Sequence, residues 1–442
     1  MRTRLYDARI LTMEPDRDIF KGEIWVLDGK IEKIICSDME NHKSDTTEAP
    51  SFDREIDCMG NLIMPGFVNC HAHGPMTFLR SYADDLPLQE WLHNKIFPAE
   101  GCLRESDIET LMELAILEYV RNGITTSFEM YFYPEMIAKA CNRMGFPVVI
   151  SGTVFGETKE SVDGAVNTLR DDYKRFHGAG EFVDYRLGFH SEYSCCFELL
   201  EAISDLCKEL KAPVYMHNSE TEREVEDCKK RYGKTPIRLM HDLGLFRYGG
   251  AGHHLVHTTP EDWEIMKEDH IFAVTNPASN MKLASGIAPL KDYLNRNIPV
   301  AIGTDGPASN NSLNFFKEMY LACGCAKLKY KDAAAVTPME ILRMATVNGA
   351  DLLGLHSGCL QEGKSADLIL LDLLKPNMQP LNHMVPNIVY SGSTDNVLMT
   401  MIHGNIVYAN QHYYMNVEPI DIYREANCII RRIELESNMV SS

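Results

Sequence analysis

Two histidines, His71 and His73, flank a single alanine where an apolar run ends, in PGFVNCHAHGPM (65–76). Along an extended strand alternate side chains point the same way. Two imidazoles one residue apart can therefore reach one ion, and His is the commonest metal ligand. Two ligands do not close a hydrolytic zinc centre, which takes about three from the protein and keeps one position open. Candidates for the rest stand at the ends of other short apolar runs. His190 ends YRLGFH, and His217 lies in MHNSETERE with Glu220 three residues on. His254 lies in GHHLVH and Asp305 in IGTDGPASNNS. His71, His73 and His217 as neutral imidazoles, with the Asp305 carboxylate, make a donor set suited to zinc. Zinc lowers the pKa of a bound water from ~15.7 to about 7. Asp305 can take a proton from that water, and Glu220 can carry protons between water and leaving group. His254 can donate to the water or polarise the substrate.

These residues need elements that bring them together. Short apolar runs recur at the segment before His71 and at TTSFEMY, PVVISG, YRLGFH, PVYMHNS, GHHLVH, IFAVTN and VAIGTD. Helical patterns separate most of them. SDIETLMELAILEYVRNG (106–123) predicts a helix with a capping box from Ser106 and Glu109. Its apolar face is Ile108, Leu111, Met112, Ala115 and Tyr119, and Gly123 stops it. CFELLEAISDLCKELK (196–211) predicts another. Eight strand–helix units predict an α/β fold with a parallel sheet closed as a (β/α)8 TIM barrel. Such a barrel gathers the carboxyl ends of its strands around one mouth, where its active sites lie. Residues 1–60 read instead as short strands, with a hairpin at Asp28-Gly29 and a polar loop over 37–54. Strands return after about 356, in ADLILLDL and VLMTMIHGNIVYAN. The expected organisation is a barrel over 61–355, with 1–60 and 356–442 packing together as one small β-sandwich.

Composition narrows the function classes. The chain has 442 residues, 45% hydrophobic and 24% charged, with a formal net charge of −20. That balance suits a globular protein with a large core. It disfavours nucleic acid and anionic membrane partners, which want basic patches. No apolar run is long enough to span a bilayer, and the N-terminus lacks the apolar stretch of a signal peptide. The thirteen cysteines form no C-x-x-C pair, which predicts reduced thiols in a cytoplasmic protein.

The chain resembles the amidohydrolase superfamily. Within it, the similarity is to the branch of 5'-methylthioadenosine/S-adenosylhomocysteine deaminases, guanine deaminases and triazine chlorohydrolases. The motifs are PGFVNCHAHGPMTFLRSYADDLPLQEWL (65–92), MHNSETERE (216–224), HLVHTTPED (254–262), NPASNMKLASGIAPL (276–290) and GTDGPASNNSLNFFKEM (303–319). GCLQEGKSADLILLD (358–372) resembles the return to the flanking sheet. By this resemblance His71, His73, His217 and Asp305 hold one Zn2+ per subunit, with Fe2+ or Mn2+ as other candidates. Glu220 is the proton shuttle. His254 stands beside the activated water, selected from His253, His254 and His257 by the register of the following HTTPED. His257 is then structural, and His253 has no assigned role. Trp91 matches a residue that packs on a nucleoside. Glu100 matches one that accepts both ribose hydroxyls, a fitting task for a carboxylate. His190 and Ser309 match contacts to purine ring nitrogens. A homo-oligomer is also implied.

The implied reaction is hydrolytic deamination of a small-molecule substrate. Water attacks C6 of an adenine ring, Asp305 and His254 orient it and accept its proton, and Glu220 protonates N1 and helps ammonia leave. One departure bears on the substrate. Relatives acting on S-adenosylhomocysteine hold its carboxylate with arginines in the third-strand region. Here Ser151 and Ala165 stand about where these are expected, and no Arg occurs between Arg143 and Arg170. A charged tail would lack its bidentate partner. The expectation is a neutral nucleoside: 5'-methylthioadenosine, 5'-deoxyadenosine or adenosine. Two alternatives stand beside it. One is a guanine, pterin or other heterocycle deaminase, or a triazine-type chlorohydrolase, using the same site. The other is a metal-free scaffold, against which the four intact ligands argue.

Overall fold

The structure, a computed structural model, describes residues 1–37, 50–156 and 158–440. Its strands divide between two sheets. The first gathers the two ends of the chain. From the N-terminal side come β1 (Arg2–Ile10), β2 (Phe20–Leu27), β3 (Lys30–Cys36), β4 (Arg54–Asp57) and β5 (Leu62–Pro65). From the C-terminal side come β14 (Leu368–Leu371), β15 (Val397–Ile402), β16 (Asn405–Ala409) and β17 (His412–Tyr413). They form one nine-stranded sheet in the order β17-β16-β15-β14-β5-β1-β2-β3, with β4 also pairing β1. The link between the two ends is the antiparallel pairing of β5 with β14. Leu5, Ile10, Ile24, Val26, Ile63, Leu368 and Met401 form a separate core on this sheet. Asp28 and Gly29, both with positive φ, make the turn of the β2–β3 hairpin, and Leu27 pairs with Lys30. Most of the loop expected over 37–54 lies outside the described residues, and β4 begins at its end.

At Gly66 the chain crosses into the second sheet. β6 (Phe67–Ala72), β7 (Ile124–Met130), β8 (Val148–Ser151), β9 (Val183–Ser191), β10 (Val214–Asn218), β11 (Gly250–His254), β12 (Ile271–Thr275) and β13 (Val300–Ile302) pair in parallel, each with the next. This is the eight-stranded barrel. Its seam between β13 and β6 is bridged by other groups. The Asp305 amide donates to the His71 carbonyl at 2.9 Å, and the Thr304 amide to Asn69 Oδ1 at 2.9 Å. Val68, Cys70, Phe128, Tyr215, Ala251 and Val274 fill the interior, and the helices pack on the outside.

The helix expected over 106–123 runs Glu105–Arg121 with the predicted face buried. Its cap differs. The Asp107 carboxylate takes the Arg104 amide at 2.7 Å, so Arg104 is the cap and the helix starts two residues earlier than a Ser106 cap allows. Ser106 falls inside the first turn, and Glu109 instead pairs with Lys139. The helix expected over 196–211 is Phe197–Leu210.

Among the described residues no helix is long and apolar enough to cross a membrane.

Candidate active site

The carboxyl ends of β6, β10 and β13 bring four donors together. Ligand atoms of His71, His73, His217 and Asp305 all lie within 4.8 Å of one another. The way these side chains are held fixes which atoms they present. His73 Nδ1 lies 2.5 Å from the Met130 carbonyl and His217 Nδ1 lies 2.7 Å from that of His190. A carbonyl only accepts, so each Nδ1 carries the proton and each Nε2 is a bare lone pair. Those two Nε2 atoms face each other at 3.3 Å. Asp305 Oδ1 lies 3.2 Å from His73 Nε2 and 3.4 Å from His71 Nε2. Neither nitrogen of the fully buried His71 has a hydrogen-bond partner. Buried acceptors turned on one another are costly without a positive centre among them. Ligand atoms 2.0–2.1 Å from a tetrahedral zinc stand ~3.3 Å apart. The donor set fits a divalent cation in identity, protonation and spacing.

Asp305 is held on its other side. Its Oδ2 accepts hydroxyl protons from Ser279 at 2.5 Å and Ser309 at 2.7 Å. Ser309 is thus placed beneath Asp305, its hydroxyl also within 3.1 Å of the Gly306 carbonyl. Asp305, His254 and Ser219 all adopt positive φ. That backbone is uncommon for residues with a Cβ, and it clusters at functional sites.

Glu220 and His254 line the same space. His254 Nδ1 donates to Asn280 Oδ1 at 2.7 Å, and its Nε2 lies 3.8 Å from Glu220 Oε2. Ser285 donates to Glu220 Oε1 at 3.1 Å. Glu220 is 5% exposed. Burial pushes its pKa above the usual carboxyl value, against the pull of His254. His190 reaches the cluster from β9, with its ring 4.9 Å from that of His217. Its Nδ1 lies 3.0 Å from both Ser191 Oγ and Ser194 Oγ. Burial, followed by the neighbouring His73, pushes its pKa down to about 4, so the ring is neutral.

Trp91 and Glu100 come from a helical strap over 88–100. A π turn, Leu92–Ile96, interrupts it. In an unbroken α-helix two residues nine apart point about 180° from each other. One inserted residue turns everything after it by about 100°, bringing Glu100 toward the side that buries Trp91, Leu92 and Ile96. Tyr131 donates to Glu100 Oε1 at 2.6 Å, and its ring lies 6.4 Å from that of His73. Glu100 is therefore one side chain away from the cluster. Burial pushes its pKa up to about 7. Trp91 packs into the main core, and among the described residues it makes no ring contact with the histidines of the site.

Several neighbours escaped the sequence reading. Ser279, Asn280 and Ser285 sit in the 276–290 motif, where polar residues following a strand end were the available signal. Tyr131 follows the β7 run in the same way. His257 Nε2 bonds the Ser285 carbonyl at 2.6 Å, a structural place behind Glu220. His253 stacks on His71 at 3.9 Å. Ser151 is buried within β8, and Ala165 lies on the helix Val162–Phe176.

A closed parallel barrel with three imidazoles and an aspartate converging at its carboxyl mouth is the architecture of a metal-dependent hydrolase. The chain belongs to the amidohydrolase family, whose model matches residues 62–407. It is 36% identical over 428 residues to a 5-methylthioadenosine/S-adenosylhomocysteine deaminase of Caldanaerobacter subterraneus subsp. tengcongensis, covering 96% of each chain. It is 36% identical over 404 residues to a 5'-deoxyadenosine deaminase of Methanosarcina mazei, covering 91% of each. Among solved structures, an adenosine deaminase from Xanthomonas campestris with bound zinc superposes with a TM-score of 0.89 at 28% identity, covering 98% of each chain.

Proposed function

We propose that this enzyme is a zinc-dependent deaminase of an adenine nucleoside with an uncharged 5' end. The observation that carries the reading is the meeting of His71, His73, His217 and Asp305 in one space with Glu220 and His254. Bound there, a divalent cation, zinc by donor type, would supply an activated water at neutral pH. Asp305 receives a proton from the attacking water, with Ser279 and Ser309 fixing the carboxylate that accepts it. His254 orients the water through Nε2, since Asn280 occupies Nδ1. Glu220, its pKa raised by burial, holds a proton in reach of ring N1. It donates that proton, making C6 electrophilic, and then serves the departing ammonia. With a serine hydroxyl donating to Nδ1, neutral His190 presents Nε2–H to a ring nitrogen. Glu100 accepts the ribose hydroxyls, and Trp91 supports the strap that carries it.

The names of the relatives favour adenosine derivatives. The absence of arginine between Arg143 and Arg170 favours a neutral one, and Lys159 in that stretch pairs outward with Glu198. The thirteen unpaired cysteines fit a cytoplasmic enzyme. Ammonia release is measured with adenosine, 5'-methylthioadenosine, 5'-deoxyadenosine, S-adenosylhomocysteine, guanine and a triazine, with metal content determined on the same sample. Turnover of one of the neutral adenine nucleosides at about one zinc per chain is expected. Turnover confined to guanine or the triazine overturns the reading.

A further inference from the structure

Three glutamates with no part in the mechanism above stand behind the loops of the site. Glu129 is the penultimate residue of β7, fully buried. Its Oε2 accepts the amide of Gly74, the residue after His73, at 2.6 Å. Its Oε1 accepts the hydroxyls of Tyr119 and Ser127 at 2.8 and 2.7 Å. Glu224, in the helix Glu222–Tyr232, accepts the amide of Ser219 on Oε1 at 2.7 Å and that of Glu220 on Oε2 at 2.8 Å. Glu318, in the helix Phe315–Tyr330, accepts the amide of Ala278 at 2.9 Å and Asn310 Nδ2 at 2.8 Å. Ala278 precedes Ser279, and Asn310 follows Ser309, the two serines that hold Asp305.

Glu224 occupies the third position of a capping box, and ordinary capping is the simplest account of it. In the other boxes of the same kind the carboxylate takes the N-cap amide: Glu340 takes that of Thr337 at 2.7 Å, and Asp262 that of Thr259 at 2.9 Å. Glu224 stands 3.5 Å from the N-cap amide of Thr221 and bonds instead to the two residues before it. Its reach goes to the backbone that carries Glu220. Gly74 shows the same fit from the other side, since a Cβ there would lie 3.0 Å from Glu129 Oε2.

We infer that Glu129, Glu224 and Glu318 are positioning residues, an outer ring of carboxylates that clamps the backbone of the loops bearing His73, Glu220 and the Asp305 serines. Both oxygens of Glu224 and of Glu318 face N–H donors, so a glutamine there turns its NH2 against one of them and opens that clamp. At Glu129 the second oxygen faces two hydroxyls, which can also accept, so a glutamine could keep Gly74 and the clamp opens only when the side chain is removed. The ring acts outward of the ligand atoms, as supporting groups behind metal ligands do.

The inference rests on the proposed cation site, and loading with Co2+ separates the two. Its d–d absorption reports ligand number and geometry. If the unsubstituted protein develops no such bands, the cation site itself is overturned. With bands present, Glu129→Ala, which removes the acceptor of the Gly74 amide, is expected to change them and to weaken Co2+ binding about tenfold in chelator competition. Ser127→Ala, which spares the Gly74 clamp, is expected to change neither. Glu224→Gln is expected to keep the bands, lower kcat about tenfold and move the pH profile of kcat/KM by about half a unit or more. Glu318→Gln, which turns an amide NH2 against the Ala278 amide or Asn310 Nδ2, is expected to change the bands as well. Each clamp stands or falls with its own variant: loss of thermal stability alone, with bands and profile unmoved, overturns it. Where a variant does not fold, hydrogen–deuterium exchange of the unsubstituted protein decides. The amides of Gly74, Ser219 and Glu220 are expected to exchange as slowly as those of β10, and exchange at the rate of surface loops overturns the clamps.

Discussion

At the floor of the mouth, every polar group turned toward the cation position except His71, which is stacked on His253, has a hydrogen-bonding group behind it: the Met130 and His190 carbonyls for His73 and His217, two serines for Asp305, Asn280 for His254, Ser285 for Glu220. The rim is built more loosely. Glu100 depends on one hydrogen bond from Tyr131, Phe97 is exposed at the strap, and Phe155 is 58% exposed on the loop after β8. The floor resists displacement because a buried side chain that moves there leaves its carbonyl, amide or hydroxyl partner unpaired away from water. The rim can change one side chain at a time. Reaction class therefore resides in the floor, and substrate choice in the rim.

The largest effect should come from the floor. Asp305→Asn exchanges one carboxylate oxygen for a donor and removes both a ligand and the proton acceptor. Metal content should fall well below one per chain, and kcat/KM by on the order of 10³-fold or more. A variant that keeps its metal and most of its turnover would separate Asp305 from the chemistry. Glu220→Gln comes next. It leaves the four ligands in place, so metal content should hold while kcat drops 10²–10⁴-fold. Loss of metal along with turnover would mean that Glu220 is part of the cation site and does not act as the shuttle.

Glu100→Gln moves the test to the rim. The carboxylate accepts a vicinal diol only when ionised, and burial raises its pKa to about 7. Below that pH the group is protonated, so KM for a nucleoside should climb as pH falls from 7 toward 6, with kcat less affected. The glutamine variant should show a raised KM, by roughly 10- to 100-fold for a charged hydrogen bond, that no longer varies with pH there. Free adenine, with no ribose, should be indifferent to the substitution. An unchanged pH dependence in the variant would assign the titration to another group.

The same division explains what could be read from residues alone. His71, His73, His217 and Asp305 follow apolar runs at strand ends, and strand-end position in a barrel is enough to make them converge. Glu220 was legible because it lies three residues from a ligand. Asn280 and Ser285 were not, since a polar residue after a strand carries no mark of which side chain it will meet. The Ser106–Glu109 cap was misread because Asp107 offered a competing acceptor at the right spacing. The π turn over Leu92–Ile96 was invisible: its residues have ordinary helical composition, and the extra residue in the turn is fixed by what the strap must bury.

Phe155→Ala is the smallest change and the sharpest probe of the rim. The residues either side of Phe155 are tied to the neighbouring chain, Val154 to Phe189 and Gly156 to Cys195, and the His190 amide donates to the Val154 carbonyl at 3.0 Å. The backbone is thus fixed next to the proposed purine contact, while the ring is left in solvent with Phe132 at 6.3 Å as its aromatic neighbour. Removing so exposed a ring should leave the melting temperature nearly unchanged. If the ring covers the 5' end of the nucleoside, KM for 5'-methylthioadenosine should rise several-fold, in line with about 1 kcal/mol for an aromatic contact. KM for adenosine, whose 5' hydroxyl gains little from an aromatic face, should move less. An equal change for both substrates would place the 5' end elsewhere and leave the rim's selectivity to the strap.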